Sequence, residues 1–183
     1  MKEQLTVGSM FAGIGGICLA FRQNGCKIVW ANEIDKYACK TYRLNFGDEY
    51  LVEGDIQKLD TKNIPKFDIL TAGFPCQAFS SVGLLEGFND PRGNLFFETA
   101  RVINKIKPRV VFLENVANLV KHDEGRTFDV ILKTLGDLGY YTVYKVMNAK
   151  EYGNIPQQRN RIYIVAFKYK KNVEKFKFPD MLP

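Results

Sequence analysis

The chain has 183 residues, 46% hydrophobic and 25% charged, with a formal net charge of +6 and an isoelectric point near 9.1. That length suits one domain with a substantial core, and the absence of any apolar run near the ~18–20 residues that cross a bilayer excludes a membrane protein. With no signal-peptide pattern after Met1, no Cys-x-x-Cys among Cys18, Cys26, Cys39 and Cys76, and only His122 as a histidine, a cytoplasmic protein without disulfides or metal is expected.

In chain order, residues 5–11 read as a short buried strand. The turn Ala12-Gly13-Ile14-Gly15-Gly16 follows, and then a helical pattern carried by Ile17, Leu19, Ala20 and Phe21. Glycines at that place let backbone approach a ligand and aim a helix N-terminus at it, although a simple turn is the plain alternative. The full Gly-x-Gly-x-x-Gly pattern is missing. A second strand, residues 27–31, ends on Asn32-Glu33, and Asp35 opens a helix through Phe46. An acid about 20 residues after a glycine turn is placed to bind ribose hydroxyls, or simply to favour the next helix N-terminus.

A third strand, residues 50–53, leads to Gly54-Asp55-Ile56, where Asp55 is either an adenine contact or a turn former. The fourth, residues 67–72, delivers Gly73-Phe74-Pro75-Cys76-Gln77, and Cys76 is either a loop nucleophile or a packed, unreactive thiol. Residues 80–92 lack periodicity, and a loop longer than about 12 residues in a compact domain predicts a functional lid. From Gly93 and Asn94 a helix places Leu95, Phe96, Thr99, Val102, Ile103 and Ile106 in the core until Pro108 stops it.

The fifth strand, residues 109–113, is continuously apolar and ends on Glu114-Asn115-Val116. A helix over about 125–138, a sixth strand over 140–148, the stretch Gln157-Gln158-Arg159-Asn160-Arg161 and a seventh strand over 162–167 complete the pattern. Alternating strands and helices predict an α/β doubly wound, Rossmann-like fold: a seven-stranded, mostly parallel sheet with helices on both faces, its candidate polar groups at strand C-terminal ends. The basic balance points towards a polyanionic partner, while the lysines of residues 168–177 read most simply as a solvated tail.

Taken together and in order, these stretches resemble the catalytic half of the C5-specific DNA cytosine methyltransferases, with particular similarity to bacterial restriction-modification enzymes through Asp90-Pro91-Arg92-Gly93. The resemblance implies an S-adenosyl-L-methionine-dependent methyltransferase, released product S-adenosyl-L-homocysteine, and no metal. Phe11, Ala12, Gly13, Gly15 and Gly16 look like the cofactor turn, with Glu33, Ile34, Asp55, Ile56 and Pro75 as further cofactor contacts. Ile34 stands where many members carry an aromatic residue. Cys76 looks like the nucleophile, Glu114 like the protonated carboxyl group at N3, and Arg159 and Arg161 like the arginine motif, Arg161 at O2.

The same resemblance implies duplex DNA as partner, a flipped target base, and Gln77, Ser80 and Arg92 as DNA-facing residues. It makes residues 1–183 a catalytic and cofactor-binding domain without the family's target-recognition region or its closing Gly-Asn-Ser-Val segment. A second polypeptide and a cognate restriction endonuclease are therefore expected partners. The competing readings are a tRNA cytosine-5 methyltransferase and a non-catalytic Rossmann-like binding or regulatory module; a nicotinamide dehydrogenase is disfavoured by the incomplete glycine pattern.

Overall fold

The computed structural model describes residues 4–75 and 95–182. Cys76, Gln77, Ser80, Arg92, the expected lid and the helix start at Gly93 and Asn94 lie outside the described residues. The elements in order are β1 (Thr6–Met10), α1 (Gly16–Gln23), β2 (Lys27–Glu33), α2 (Lys36–Phe46), β3 (Leu51–Glu53), β4 (Ile69–Ala72), α3 (Leu95–Ile106), β5 (Val110–Val116), α4 (Arg126–Asp137), β6 (Tyr141–Asn148), α5 (Ala149–Gly153), β7 (Asn160–Phe167) and α6 (Lys170–Lys175).

They form a seven-stranded sheet in the order β3-β2-β1-β4-β5-β7-β6. The strands β3, β2, β1, β4 and β5 run parallel, and β7 runs antiparallel to both β5 and β6. The order reverses between β1 and β4, so the crevice at their carboxyl ends is the topological switch point where such sheets hold ligands. Glu33 and Glu114 both stand at that edge, and β7, running the other way, starts there with Asn160 and Arg161.

Two apolar layers hold the sheet. One joins α3 and α4 to it through Phe96, Val102, Ile103, Leu113, Ile131 and Leu135; the other joins α1 and α2 through Val7, Cys18, Ala31, Cys39 and Tyr42. Burying such side chains is the main favourable term, and truncating one, as in Ile103→Ala, costs about 2–5 kcal/mol. Local sequence sets the helix starts. Asp35 Oδ1 accepts from Tyr37 N at 2.9 Å and Ala38 N at 2.7 Å, the N-cap of α2. α1 instead starts from Gly15 at φ 94°, where a Cβ would lie 2.3 Å from Phe46 Cε2. Only glycine suits that backbone and that contact.

The strands β2 and β5 run further than expected, through Glu33 and Val116, and β7 begins at Asn160 instead of Ile162. Pairing explains the extension, because Val116 and Met147 both register with Arg161 across the ladder. The short helices α5 and α6 and the 3₁₀ turns over 117–125 were not anticipated, since their polar sequences carry no apolar period.

Candidate functional site

Most of the residues expected to contact a cofactor gather around a cavity of about 260 Å³ at the switch point. Of the expected contacts, Phe11, Glu33, Ile34, Asp55, Ile56 and Pro75 line it, joined by Asn32, Gly54, Gly73 and Leu95. Backbone geometry brings them together. Gly13 N donates to Glu33 Oε2 at 2.7 Å, while Ile34 N and Asp35 N donate to Oε1 at 2.9 Å each. The carboxylate is thus fixed in place, and Oε2, with one donor, retains acceptor capacity for a ligand hydroxyl.

Asp55 Oδ1 accepts from Gln57 N at 3.0 Å, which sets its turn. Phe11 sits in the left-handed region at φ 51°, a conformation costing a non-glycine residue about 1–3 kcal/mol and common at ligand sites. Ala12 and Gly13 act through their backbone here. Gly15 is buried against Phe46, and neither it nor Gly16 is among the cavity walls.

Two carboxylates face this cavity, and among the described residues no lysine or arginine lines it. Such walls suit a ribose with an uncharged base held by Ile34, Ile56 and Pro75. The nucleoside part of S-adenosyl-L-methionine therefore fits these residues.

On the far side of Gly73 stands Glu114. Its Oε2 lies 3.4 Å from where a Gly73 Cβ would be, and its Oε1 takes the Nε of Arg161 at 2.9 Å. Both side chains are about four-fifths buried, with 22% and 20% exposure. Arg161, Tyr163 and Glu114 share one sheet face, and the Phe112 and Tyr163 rings lie 5.8 Å apart behind them. Burial, reinforced by the Glu114 carboxylate, pushes the Tyr163 phenol up. The side chain of Arg159 is exposed, while its backbone N donates to Asn148 Oδ1 at 3.2 Å.

The last residues before Cys76 are held at two points. Phe74 is buried with its ring 5.5 Å from that of Phe96, and its carbonyl accepts from Asn115 Nδ2 at 2.9 Å. Asn115 is itself 4% exposed, and its Oδ1 takes Val116 N at 2.8 Å. In the sequence Asn32 and Asn115 stand out only as neighbours of the acids Glu33 and Glu114. Nothing there beyond an amide next to an acid at a strand end marks them. Among the described residues no group of three His, Cys, Asp or Glu is placed to hold a metal ion, and no helix is long and apolar enough to cross a membrane.

Residues 5–182 match the family model described as C-5 cytosine-specific DNA methylase. The Type II methyltransferase M.Bsp6I of Bacillus sp. (strain RFL6) is 50% identical over 177 residues, 96% of this chain and 56% of that protein. M.HhaI of Haemophilus parahaemolyticus is 49% identical over 170 residues, 93% of this chain and 51% of its own. Among solved structures, S. pombe Dnmt2 methyltransferase superposes with a TM-score of 0.74 at 26% identity, covering 92% of this chain and 51% of that one. The chain thus spans about half the length of the relatives it matches.

Proposed function

This chain belongs to the C-5 cytosine-specific DNA methylase family, and from that membership we propose that it is the catalytic and cofactor-binding part of a DNA (cytosine-5-)-methyltransferase acting on a flipped-out cytosine in duplex DNA. The observation that carries the reading is the Glu114–Arg161 pair, set beside Gly73 at the edge of a nucleoside-sized cavity and directly before the Phe74-Pro75-Cys76 sequence.

Cytosine C5 is a weak nucleophile. Addition of the Cys76 thiolate to C6 moves electron density onto C5 and N3. Glu114, in its protonated form, donates to N3 as that density arrives and holds the exocyclic amine. Arg161 steadies the carboxyl group and faces the O2 edge, and Arg159 adds positive potential nearby. Loss of the C5 proton to water and departure of the thiolate restore the ring. When bound, S-adenosyl-L-methionine supplies the methyl group for C5 and is left as S-adenosyl-L-homocysteine. Glu33 holds the ribose, Asp55 and Ile56 the adenine, Phe11, Ile34 and Pro75 shape the remaining walls, and Ala12, Gly13, Gly15 and Gly16 supply the turn behind them.

Gln77, Ser80 and Arg92 are proposed to face the DNA. Sequence recognition then falls to the other half of the relatives' length, carried by further sequence or by a second polypeptide. Because the relatives are named Type II methyltransferases, a restriction-modification system with a cognate endonuclease is the proposed setting, in the cytoplasm. The test is transfer of labelled methyl groups to duplex DNA and to tRNA, with and without a polypeptide supplying that recognition half. Label at cytosine C5 of the duplex is expected; label in tRNA alone, or none with the recognition half present, contradicts the proposal.

A further inference from the structure

Asn32 lies one residue before Glu33 at the end of β2 and is 2% exposed. Its Nδ2 donates to Val52 O at 3.0 Å and to Gly54 O at 2.9 Å, so both amide hydrogens are committed to the segment that leads into Asp55. The backbone carbonyl of Asn32 accepts from Ala12 N at 3.0 Å, and Gly54 N donates to the backbone carbonyl of Glu33 at 2.8 Å. The Asn32 side chain therefore ties the end of β2 to the bend after β3, while its backbone joins the turn after β1.

The bend needs this help. The β2–β3 ladder ends at the Glu33–Glu53 pair, and Gly54 then turns away at φ 154°. Beyond that point no regular ladder fixes the distance from Glu33 to Asp55. A donor atom with two hydrogens on a short stem bridges both carbonyls; serine and threonine carry one donor and aspartate none. We propose that Asn32 is a positioning residue for the cofactor, setting the placement of Asp55 relative to Glu33 in the cavity wall. It acts on Asp55 through the bend and supplies no charge of its own. This inference rests on reading the cavity as the S-adenosyl-L-methionine site.

The experiment is calorimetric titration of S-adenosyl-L-homocysteine into the whole chain, using the wild type, Asn32→Ala, Asn32→Ser, Asp55→Ala and the two double variants. Asn32→Ala is expected to weaken binding roughly tenfold or more, each tenfold being about 1.4 kcal/mol, and Asn32→Ser by less, because it keeps one donor. The decisive quantity is non-additivity. In the Asp55→Ala background the Asn32 substitutions should cost about threefold or less, because the contact they misplace is already gone.

Thermal unfolding of each variant, with titrations run well below the lowest midpoint, separates affinity from folding. Equal fold-losses in both backgrounds, or undiminished affinity in Asn32→Ser, overturn the positioning role. Absence of binding by the wild type instead sinks the reading of the cavity itself.

Discussion

Arg161 Nε meets Glu114 Oε1 at 2.9 Å diagonally across the antiparallel β5–β7 ladder, two residues from the direct Glu114–Tyr163 pairing. Diagonal neighbours of this kind lie within reach of long side chains, and an arginine fixes a carboxylate with direction as well as charge. The pair couples the carboxyl group at the end of β5 to the strand that enters the sheet last.

Removing the arginine tests that coupling. Arg161→Ala deletes a charge-assisted hydrogen bond worth about 1.5–3 kcal/mol, so adduct formation with 5-fluorocytosine DNA should slow by roughly 10- to 100-fold. Arg161→Lys should recover little of that, because its single ammonium does not reproduce the Nε geometry. Affinity for S-adenosyl-L-homocysteine, governed by the far end of the cavity, should change by less than about twofold, on the expectation that well-separated sites act independently. Stopped-time gel assays for the adduct and calorimetry for the ligand provide the two readouts.

Gly15 and Gly13 make a matched pair. Both have positive φ, 94° and 56°, but a Cβ on Gly15 would meet Phe46 at 2.3 Å while one on Gly13 would meet nothing within 4 Å. Gly15→Ala should therefore cost about 2–4 kcal/mol from backbone strain and overpacking combined, and Gly13→Ala about 1 kcal/mol, from backbone strain alone. Urea unfolding of the two variants measures the difference directly.

Asp68 confers an acid-side dependence on stability. Its Oδ2 accepts from Thr6 N and Thr6 Oγ1 at 2.9 Å each, and Arg109 Nη1 lies 3.7 Å from Oδ1. The Thr6 backbone bond first, then the Thr6 hydroxyl and Arg109, hold its carboxyl group below the usual value against the opposing effect of burial. A depressed folded-state value means stabilisation that is present above the unfolded value of about 4 and is lost as pH falls through the lower folded one. The urea midpoint should drop over that window in the wild type, and Asp68→Asn should flatten the drop.

Asn115 offers a test of the anchor before Cys76. Asn115→Asp keeps the shape and the acceptor for Val116 N but places a carboxylate oxygen against Phe74 O in a buried site. The loss should be about 3–5 kcal/mol in chemical unfolding at neutral pH, because the substitution buries an unpaired charge against a carbonyl. Asn115→Ala should cost about 1–3 kcal/mol, the usual cost of a buried carbonyl left without its donor.

The succession of strands along the chain and the acids at the ends of the second, third and fifth were legible because short apolar runs such as residues 110–113, bounded by turn residues, suit strands covered on both faces. Glu33 and Asp55 were recognisable for that reason and Phe11 through the family resemblance, and the cavity collects all three. The amide bridges were not legible. Asn32 reaches carbonyls 20 and 22 residues away, and Asn115 one 41 residues away, and a carbonyl leaves no mark in sequence. The Glu114–Arg161 pair was hidden likewise, because it depends on the register of an antiparallel strand that local pattern does not set.

The most direct test of the account is mass spectrometry of the chain after incubation with S-adenosyl-L-methionine and duplex DNA carrying 5-fluorocytosine, in the presence of a polypeptide supplying the recognition half. The account predicts a covalent adduct mapped to Cys76, abolished in Cys76→Ser and slowed in Glu114→Gln. An adduct at another residue, or none while the wild type binds both cofactor and DNA, would contradict it.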